Sequence, residues 1–387
     1  MKALHRLACV ALVALAASGN AIAQGYPSKP IRFIVPFGPR GRAGSRRGGC
    51  LGGGDGTRPP GVWHGVLRRL AIAFVAAGSI VAATSSAQNY PTKPIRFIVP
   101  FAPGGGTDII GRIFAQQLHD ELGQSVVVDN RAGAGSSLGT DIAAKAPSDG
   151  YTLLLGNISL AFNPSIYSKL PYDALADLAP VTLVAVQPNI VVVNPTLPAA
   201  NVAEFAALAR AKPGQIAFAS AGIGSGTHLA GELLAQILKI KLLHVPYKGT
   251  GPALSDLIGG QVQMMVSTFA SALPHVRNGR LRALGVTTAK RSGAAPDIPT
   301  LMEAGVPGYD YSTWYGLLVP AHTPRAVVER LNRASRKALA REDTQRRFEE
   351  QGVEPIPGTP AEFAAYLKSE TVKWTAVVRN AGITLQQ

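Results

Sequence analysis

The chain has 387 residues, 47% of them hydrophobic and 16% charged, with 42 Gly and 29 Pro. That Gly and Pro content is above average but below that of low-complexity chains, so a core rich in small residues can form. The formal charge of +15 suggests nucleic acid until it is divided by position: residues 1–88 hold 11 Lys and Arg against the single acid Asp55, and residues 89–387 hold 27 against 22. Without basic stripes or interleaved aromatics in the second part, nucleic-acid binding is not expected. Both cysteines, Cys9 and Cys50, also precede residue 89, which excludes disulfides and thiolate metal sites from the remainder.

Residues 1–23 have a charged start (Lys2, Arg6), an apolar run over 7–17 and Ala21-Ile22-Ala23 before Gln24, the pattern of an export signal. The design recurs as Arg68-Arg69, an apolar run over 70–83 and Ser85-Ser86-Ala87 before Gln88. The second run, 14 residues long, is shorter than the ~20 needed to span a bilayer. Beyond each signal, Tyr26-Pro27-Ser28-Lys29-Pro30-Ile31-Arg32-Phe33 and its continuation to Pro39 match residues 90–103 at 12 of 14 positions, at an offset of 64. Residues 40–60 mix Arg, Gly and Pro without hydrophobic period and have no physical reason to fold. The expected organisation is therefore a signal peptide over 1–23, a duplicated first strand and disordered remnant over 24–64, and a second signal-like segment over 65–87. A working protein follows from about residue 88. Its length predicts two α/β domains, 88–190 with 318–387 and 191–317.

Residues 95–99 form a short apolar run ended by Pro100, as in a strand buried on both faces. Pro103-Gly104-Gly105-Gly106-Thr107-Asp108 follows, and then Ile110, Phe114, Leu118 and Leu122 share one helical face, closed by Gly123. A second strand at 126–128, a helix over 136–146 and a third strand at 151–155 continue the alternation, which predicts a parallel sheet. Residues 178–186 and 189–193 are two β-rich runs able to carry the chain between domains. Asn201 and Glu204 cap a helix ending near Arg210. A second α/β set follows: strands at 216–220, 242–247, 262–266 and 281–287, with helices ending at Leu238 and spanning 252–258. Residues 314–319 form another strand. Helices starting near Pro324, Pro360 and Thr371 are placed on the first domain, and the run 330–347 reads as a solvated helix face. Met264 and Met265 read as core filling.

Three loops put small residues at the carboxyl end of a strand just before a helix: 103–108, 221–228 and 247–252. Such sites gather free backbone N–H groups and helix dipoles, which attract anions. Gly222-x-Gly224-x-Gly226 has the wrong final spacing for a dinucleotide fingerprint, and no P-loop or nucleophile elbow occurs. The histidines lack metal-ligand spacing. His228 is either a ligand donor or a helix-start ring that holds its glycine loop; Asp108 reads as an N-terminal dipole partner or loop anchor rather than a catalytic acid, and Lys248 either supplies charge or is a solvated turn lysine. No cofactor, metal or catalytic residue is expected.

Tyr90-Pro91-x-Lys93-Pro94-Ile95-Arg96, Pro100-Phe101-x-Pro103-Gly104-Gly105-x-x-Asp108, Asp129-Asn130-Arg131-x-Gly133-x-Gly135, Pro147-x-Asp149-Gly150-Tyr151-Thr152-Leu153-Leu154, Val245-Pro246-Tyr247-Lys248-Gly249 and Pro320-x-x-Thr323-Pro324 together resemble the tripartite tricarboxylate transporter receptors, the Bug solute-binding proteins. The resemblance covers residues 89–387. It implies a periplasmic binding protein, an α/β fold of two domains with a ligand cleft between them. Such a monomer closes over a small organic carboxylate and delivers it to a large and a small membrane subunit. Carried over by position, the first-domain ligand residues are Phe101, Gly104, Gly105, Gly106, Thr107, Asp108, Asn157 and Ser159. Those of the second are Ala221, Gly222, Gly224, Ser225, Thr227, His228, Tyr247, Lys248, Gly249 and Thr250, with Ser267. After the strand 262–266 the family commonly has an acidic pair where this chain has Ser267-Thr268, which favours a plain carboxylate over an amino acid. Two other readings stay open: a ligand-presenting receptor for a membrane sensor kinase, and an α/β hydrolase or transferase.

Overall fold

The computed structural model describes residues 90–380. The leader, its second copy and the segment between them lie outside the described residues, as do 381–387. In chain order the elements are β1 (Ile95–Val99), α1 (Gly106–Leu122), β2 (Val126–Asn130), α2 (Ser137–Ala144), β3 (Thr152–Asn157), α3 (Ser159–Ile166), β4 (Leu178–Val193), α4 (Val202–Ala211), β5 (Ala217–Ser220) and α5 (Gly226–Leu238). There follow β6 (Leu243–Pro246), α6 (Thr250–Ile258), β7 (Met264–Thr268), α7 (Phe269–Arg277), β8 (Arg282–Val286), β9 (Ser312–Pro320), α8 (Arg325–Ala340), α9 (Glu342–Glu350), β10 (Glu354–Pro355) and α10 (Pro360–Asn380).

The strands run in the order β2-β1-β3-β9-β4-β7-β5-β6, with β8 and β10 also on β4. Two parallel trios, β2-β1-β3 and β7-β5-β6, are the βα units that the alternation predicts. The parallel pairing expected from the alternation holds within the trios, but β9 lies antiparallel to β3 and β4, and β4 antiparallel to β7. These two strands join the trios. The two β-rich runs 178–186 and 189–193 are one strand, β4: its first part pairs with β9, its last five residues pair with β7 and the last four of these also with β8. Pro188 sits where the partner changes, so its missing N–H interrupts no continuous ladder.

Apolar spacing explains the layers. Ile110, Phe114 and Leu118 of α1 are fully buried against Phe97, Val99 and Leu155, together with Val327, Leu331 and Ala334 of α8. A second cluster joins Phe218, Leu229, Leu234 and Met264 to Trp314, Phe363 and Trp374, and a third packs Met265 with Leu254, Leu257 and Phe269. Both methionines are thus core residues. The segment expected to hold two helices, from Pro360 and from Thr371, is the single helix α10. Its Glu370 accepts from both the Trp314 and Trp374 indoles, at 3.1 and 2.9 Å. The run 330–347 is exposed on its basic side, but it breaks at Arg341 into α8 and α9. Two short helices, α3 and α7, have no counterpart among the expected elements; each contains a proline, Pro164 and Pro274. The third strand of the second trio ends at Thr268 rather than Val266, so Ser267 and Thr268 complete the strand instead of following it. No described helix is long and apolar enough to cross a membrane.

Candidate functional site

The loop after β1 is held by Asp108. Its carboxylate accepts from the Gly104 N–H at 3.0 Å, from Asn130 Nδ2 at 2.9 Å and from Arg112 Nη2 at 3.0 Å. Burial raises this carboxyl, but the Arg112 guanidinium, the Gly104 amide and the Asn130 amide outweigh it and hold Asp108 below the usual carboxylate range. Asn130 also donates to the Phe101 carbonyl at 3.0 Å. The acid is spent inside its own loop. That agrees with reading it as an anchor.

After β3, Asn157 Oδ1 accepts the Ser159 N–H at 2.8 Å and so starts α3. In the glycine loop before α5, the Ala221 N–H donates to Thr227 Oγ1 at 2.8 Å, the Gly222 N–H to Ser220 Oγ at 3.1 Å and the His228 N–H to Ser225 Oγ at 3.3 Å. Behind this loop the His228 and His244 rings stack with centroids 3.8 Å apart. His244 Nε2 and Ser220 Oγ are 2.7 Å apart, while His228 Nδ1 accepts from the Gly224 N–H at 3.4 Å. Burial, and next the His228 ring, lower His244 to about 3, so it is neutral at ordinary pH. His228 therefore supports the loop from behind, away from the pocket lining.

A small pocket of about 20 Å³ lies where the loops meet; it is lined by Phe101, Gly105, Thr107, Asn157, Ile158, Ala221, Ser225, Gly226, Thr227, Thr250, Thr268 and Thr313. Apart from Phe101, Ala221 and Thr313, these residues stand in the first turns of five helices, α1, α3, α5, α6 and α7, or within two residues before them. The first N–H groups of a helix lack partners within it, and each N-terminus acts as about half a positive charge. None of the lining residues is charged. The arrangement offers an anion many backbone and hydroxyl donors, and it offers a reaction neither a nucleophile with its base nor paired carboxylates.

Of the residues nominated from sequence, Phe101, Gly105, Thr107, Asn157, Ala221, Ser225, Thr227 and Thr250 line this pocket. The others lie around it. Gly104 borders a separate recess with Gly251 and Arg280. A Cβ on Gly106 would meet Thr268 Oγ1 at 2.5 Å, on Gly222 the Tyr247 carbonyl at 2.8 Å and on Gly249 the Ala102 nitrogen at 2.9 Å. Gly224 packs on Tyr167. Ser159 is fully buried, and its Oγ has no hydrogen-bond partner among the described residues. The Tyr247 hydroxyl donates to Asp256 at 2.7 Å; burial, then that carboxylate, raise it to about 12. Lys248 accepts the Ala102 N–H through its carbonyl at 3.2 Å and exposes its side chain. Ser267 Oγ turns to the Thr268 carbonyl at 3.2 Å. Sequence reasoning did not single out Ile158 and Thr313; it met Gly226 within the glycine loop 221–228 and Thr268 beside Ser267. Ile158 adjoins the nominated Asn157, but Thr313 carries no local signal, since it arrives on β9, far along the chain from the three glycine loops.

Two α/β halves, sharing strands and closing on a charge-free pocket rich in amides, have the architecture of the periplasmic binding proteins. The protein belongs to the tripartite tricarboxylate transporter family receptors, whose family model matches residues 110–383. It is 41% identical over 315 residues to the protein BugT of Bordetella pertussis, covering 81% of this chain and 96% of that one. Among solved structures, R. palustris Rpa4515 with adipate is 35% identical with a TM-score of 0.74, covering 76% of this chain and 99% of that one. MatC from Rhodopseudomonas palustris with bound malate is 32% identical with a TM-score of 0.72, covering 75% of this chain and 100% of that one. These are solute-binding receptors and not enzymes, which sets aside the hydrolase or transferase reading.

Proposed function

We propose that the protein is a periplasmic receptor that captures a small organic carboxylate by closure of two domains, 88–190 with 318–387 and 191–317, and hands it to the membrane subunits of a tripartite transporter. The observation that carries this reading is the meeting of five helix N-termini on one pocket without a charged side chain. Amide donors and dipoles stabilise a carboxylate there without a buried counter-ion to desolvate. The relatives with adipate and malate support the ligand class. The lack of any acid in the lining supports a plain carboxylate over an amino acid, because an ammonium group would find no charged partner.

Closure follows from differential affinity: the anion touches both halves only when they meet, so it stabilises that form. Hydrogen bonds already join them, from the Ala102 N–H to the Lys248 carbonyl at 3.2 Å and from the Tyr167 hydroxyl to the Ile223 carbonyl at 2.7 Å. The test is a thermal-shift and calorimetric screen with mono-, di- and tricarboxylates and with dicarboxylic amino acids. A ligand at 100 times its dissociation constant adds about 2.7 kcal/mol. A saturable shift without turnover supports a receptor; turnover of the acid, or no shift with any carboxylate, overturns it.

A further inference from the structure

Gln187 is the last residue of β4 before Pro188, and its side chain links elements of both halves. Gln187 Oε1 accepts the Ala270 N–H of α7 at 3.3 Å, and Gln187 Nε2 donates to the Tyr315 hydroxyl on β9. That hydroxyl is hydrogen-bonded in turn with the side chain of Thr107, in the first turn of α1. All four residues are buried. Thr107 lines the pocket from one half, and Thr268, just before α7, lines it from the other. The Gln187 amide also abuts the start of α1, since a Cβ on Gly106 would lie 3.0 Å from Gln187 Nε2.

One atom sets the direction of every bond in this chain. The Ala270 N–H, among the donors that a helix leaves unpaired at its start, can only donate. The Gln187 amide must therefore turn its oxygen to α7 and its NH₂ group to Tyr315. The Tyr315 oxygen accepts there and has its single proton left for Thr107. Burial raises Tyr315 well above its ordinary value, so the proton stays on the phenol. Thr107 Oγ1 accepts it, and its own proton is left for the pocket. With the amide turned over, two donors would face each other at Ala270, Tyr315 would donate to the amide oxygen, and Thr107 would be free to show an anion its lone pairs.

We propose that Gln187 and Tyr315 are positioning residues for solute capture: anchored on α7 of one half, they turn the Thr107 proton of the other half toward the bound carboxylate. This rests on the carboxylate reading above and adds to it two residues that lie outside the pocket lining. The relay also ties the Thr107 donor to the arrangement of the halves, because the amide is held in this sense only while α7 is seated against β4. Capture and closure thereby favour one another.

The test is calorimetry on the full chain, with whichever of malate, succinate, glutarate, adipate and citrate binds it most tightly as the probe. Tyr315→Phe, which loses only the hydroxyl, should weaken binding about tenfold, the scale of one hydrogen bond to a charged group. In a Thr107→Val background the same change should weaken it less than about twofold, because no Thr107 proton is left to turn. Gln187→Met should match Tyr315→Phe, and the two together should lose no more than either alone. Thr107→Ser, which keeps the hydroxyl, should retain the parent affinity. Melting without ligand checks that each variant folds, and if Thr107→Val binds too weakly to titrate, the cycle of Gln187→Met with Tyr315→Phe decides. Additive losses in the deciding cycle, or a Tyr315→Phe affinity within about twofold of the parent, overturn the relay and leave the carboxylate reading standing. Failure of every carboxylate to bind the parent chain overturns both.

Discussion

At Gly135 the backbone adopts φ 57°, and a Cβ there would come within 2.2 Å of the Ile223 carbonyl on the facing half. Gly135→Ala should therefore hold the halves apart and weaken carboxylate binding at least tenfold, although the residue does not line the pocket; calorimetry reads the loss and circular dichroism checks the fold. Gly105 lies in the pocket wall, where a Cβ would sit 3.1 Å from Thr250 Cβ. Gly105→Val should abolish the ligand-induced thermal shift. The small residues of these loops were legible in the sequence because glycine clusters between a strand and a helix have few other uses. The division of labour among them was not. Asp108, His228 and Lys248 all fall in the nominated loops, and only the folded chain shows that Asp108 bonds within its own loop, that His228 stacks on His244 and that the Lys248 side chain is exposed.

The helices and strands carry two further expectations. Glu370 accepts from two buried indoles, and removing it leaves both without an acceptor. Each such orphan costs about 1–3 kcal/mol. Glu370→Ala should lower the unfolding free energy by about 3 kcal/mol in urea denaturation and Glu370→Gln by clearly less, since the amide oxygen still accepts. Beneath α5, burial and the stacked His228 ring hold His244 down near 3 against an ordinary value of 6.5. Below pH 6.5 the unfolded chain takes up a proton that the folded ring refuses. Its contribution to stability is therefore complete above about 6.5 and declines as pH falls toward 3. Replacing His244 by Gln should flatten the slope of the urea midpoint against pH across that window. Helices α1 and α5 were readable from apolar spacing, and the Asn201 cap from its Glu204 partner, which forms as expected with the Glu204 N–H 2.9 Å from Asn201 Oδ1. Helices α3 and α7 were not, because Pro164 and Pro274 break the local pattern while burial of Phe162 and Phe269 sustains each turn.

At the scale of the molecule, the proposed closure depends on the contacts between the halves. The Tyr167 hydroxyl, just after α3, reaches the Ile223 carbonyl at 2.7 Å without lining the pocket. A neutral hydrogen bond is worth about 1 kcal/mol, so Tyr167→Phe should weaken carboxylate affinity about fivefold. Small-angle scattering should show the radius of gyration falling on ligand addition, with more ligand needed in the variant. The lining draws on Phe101, Gly105, Thr107, Asn157, Ile158 and Thr313 from one proposed domain and on 221–227, Thr250 and Thr268 from the other, so the proposed capture needs both.

The sequence by itself determined the parallel βα units, the three glycine loops at their carboxyl ends and the family, since each rests on local spacing or on strings of adjacent residues. Tertiary structure alone decided the antiparallel course of β4 and β9, the union of two β-rich runs through Pro188 and the arrival of Thr313 beside Asn189. Strand direction and side-chain partnership across more than 100 residues depend on which surfaces pack together, and a chain read one window at a time carries no trace of that choice.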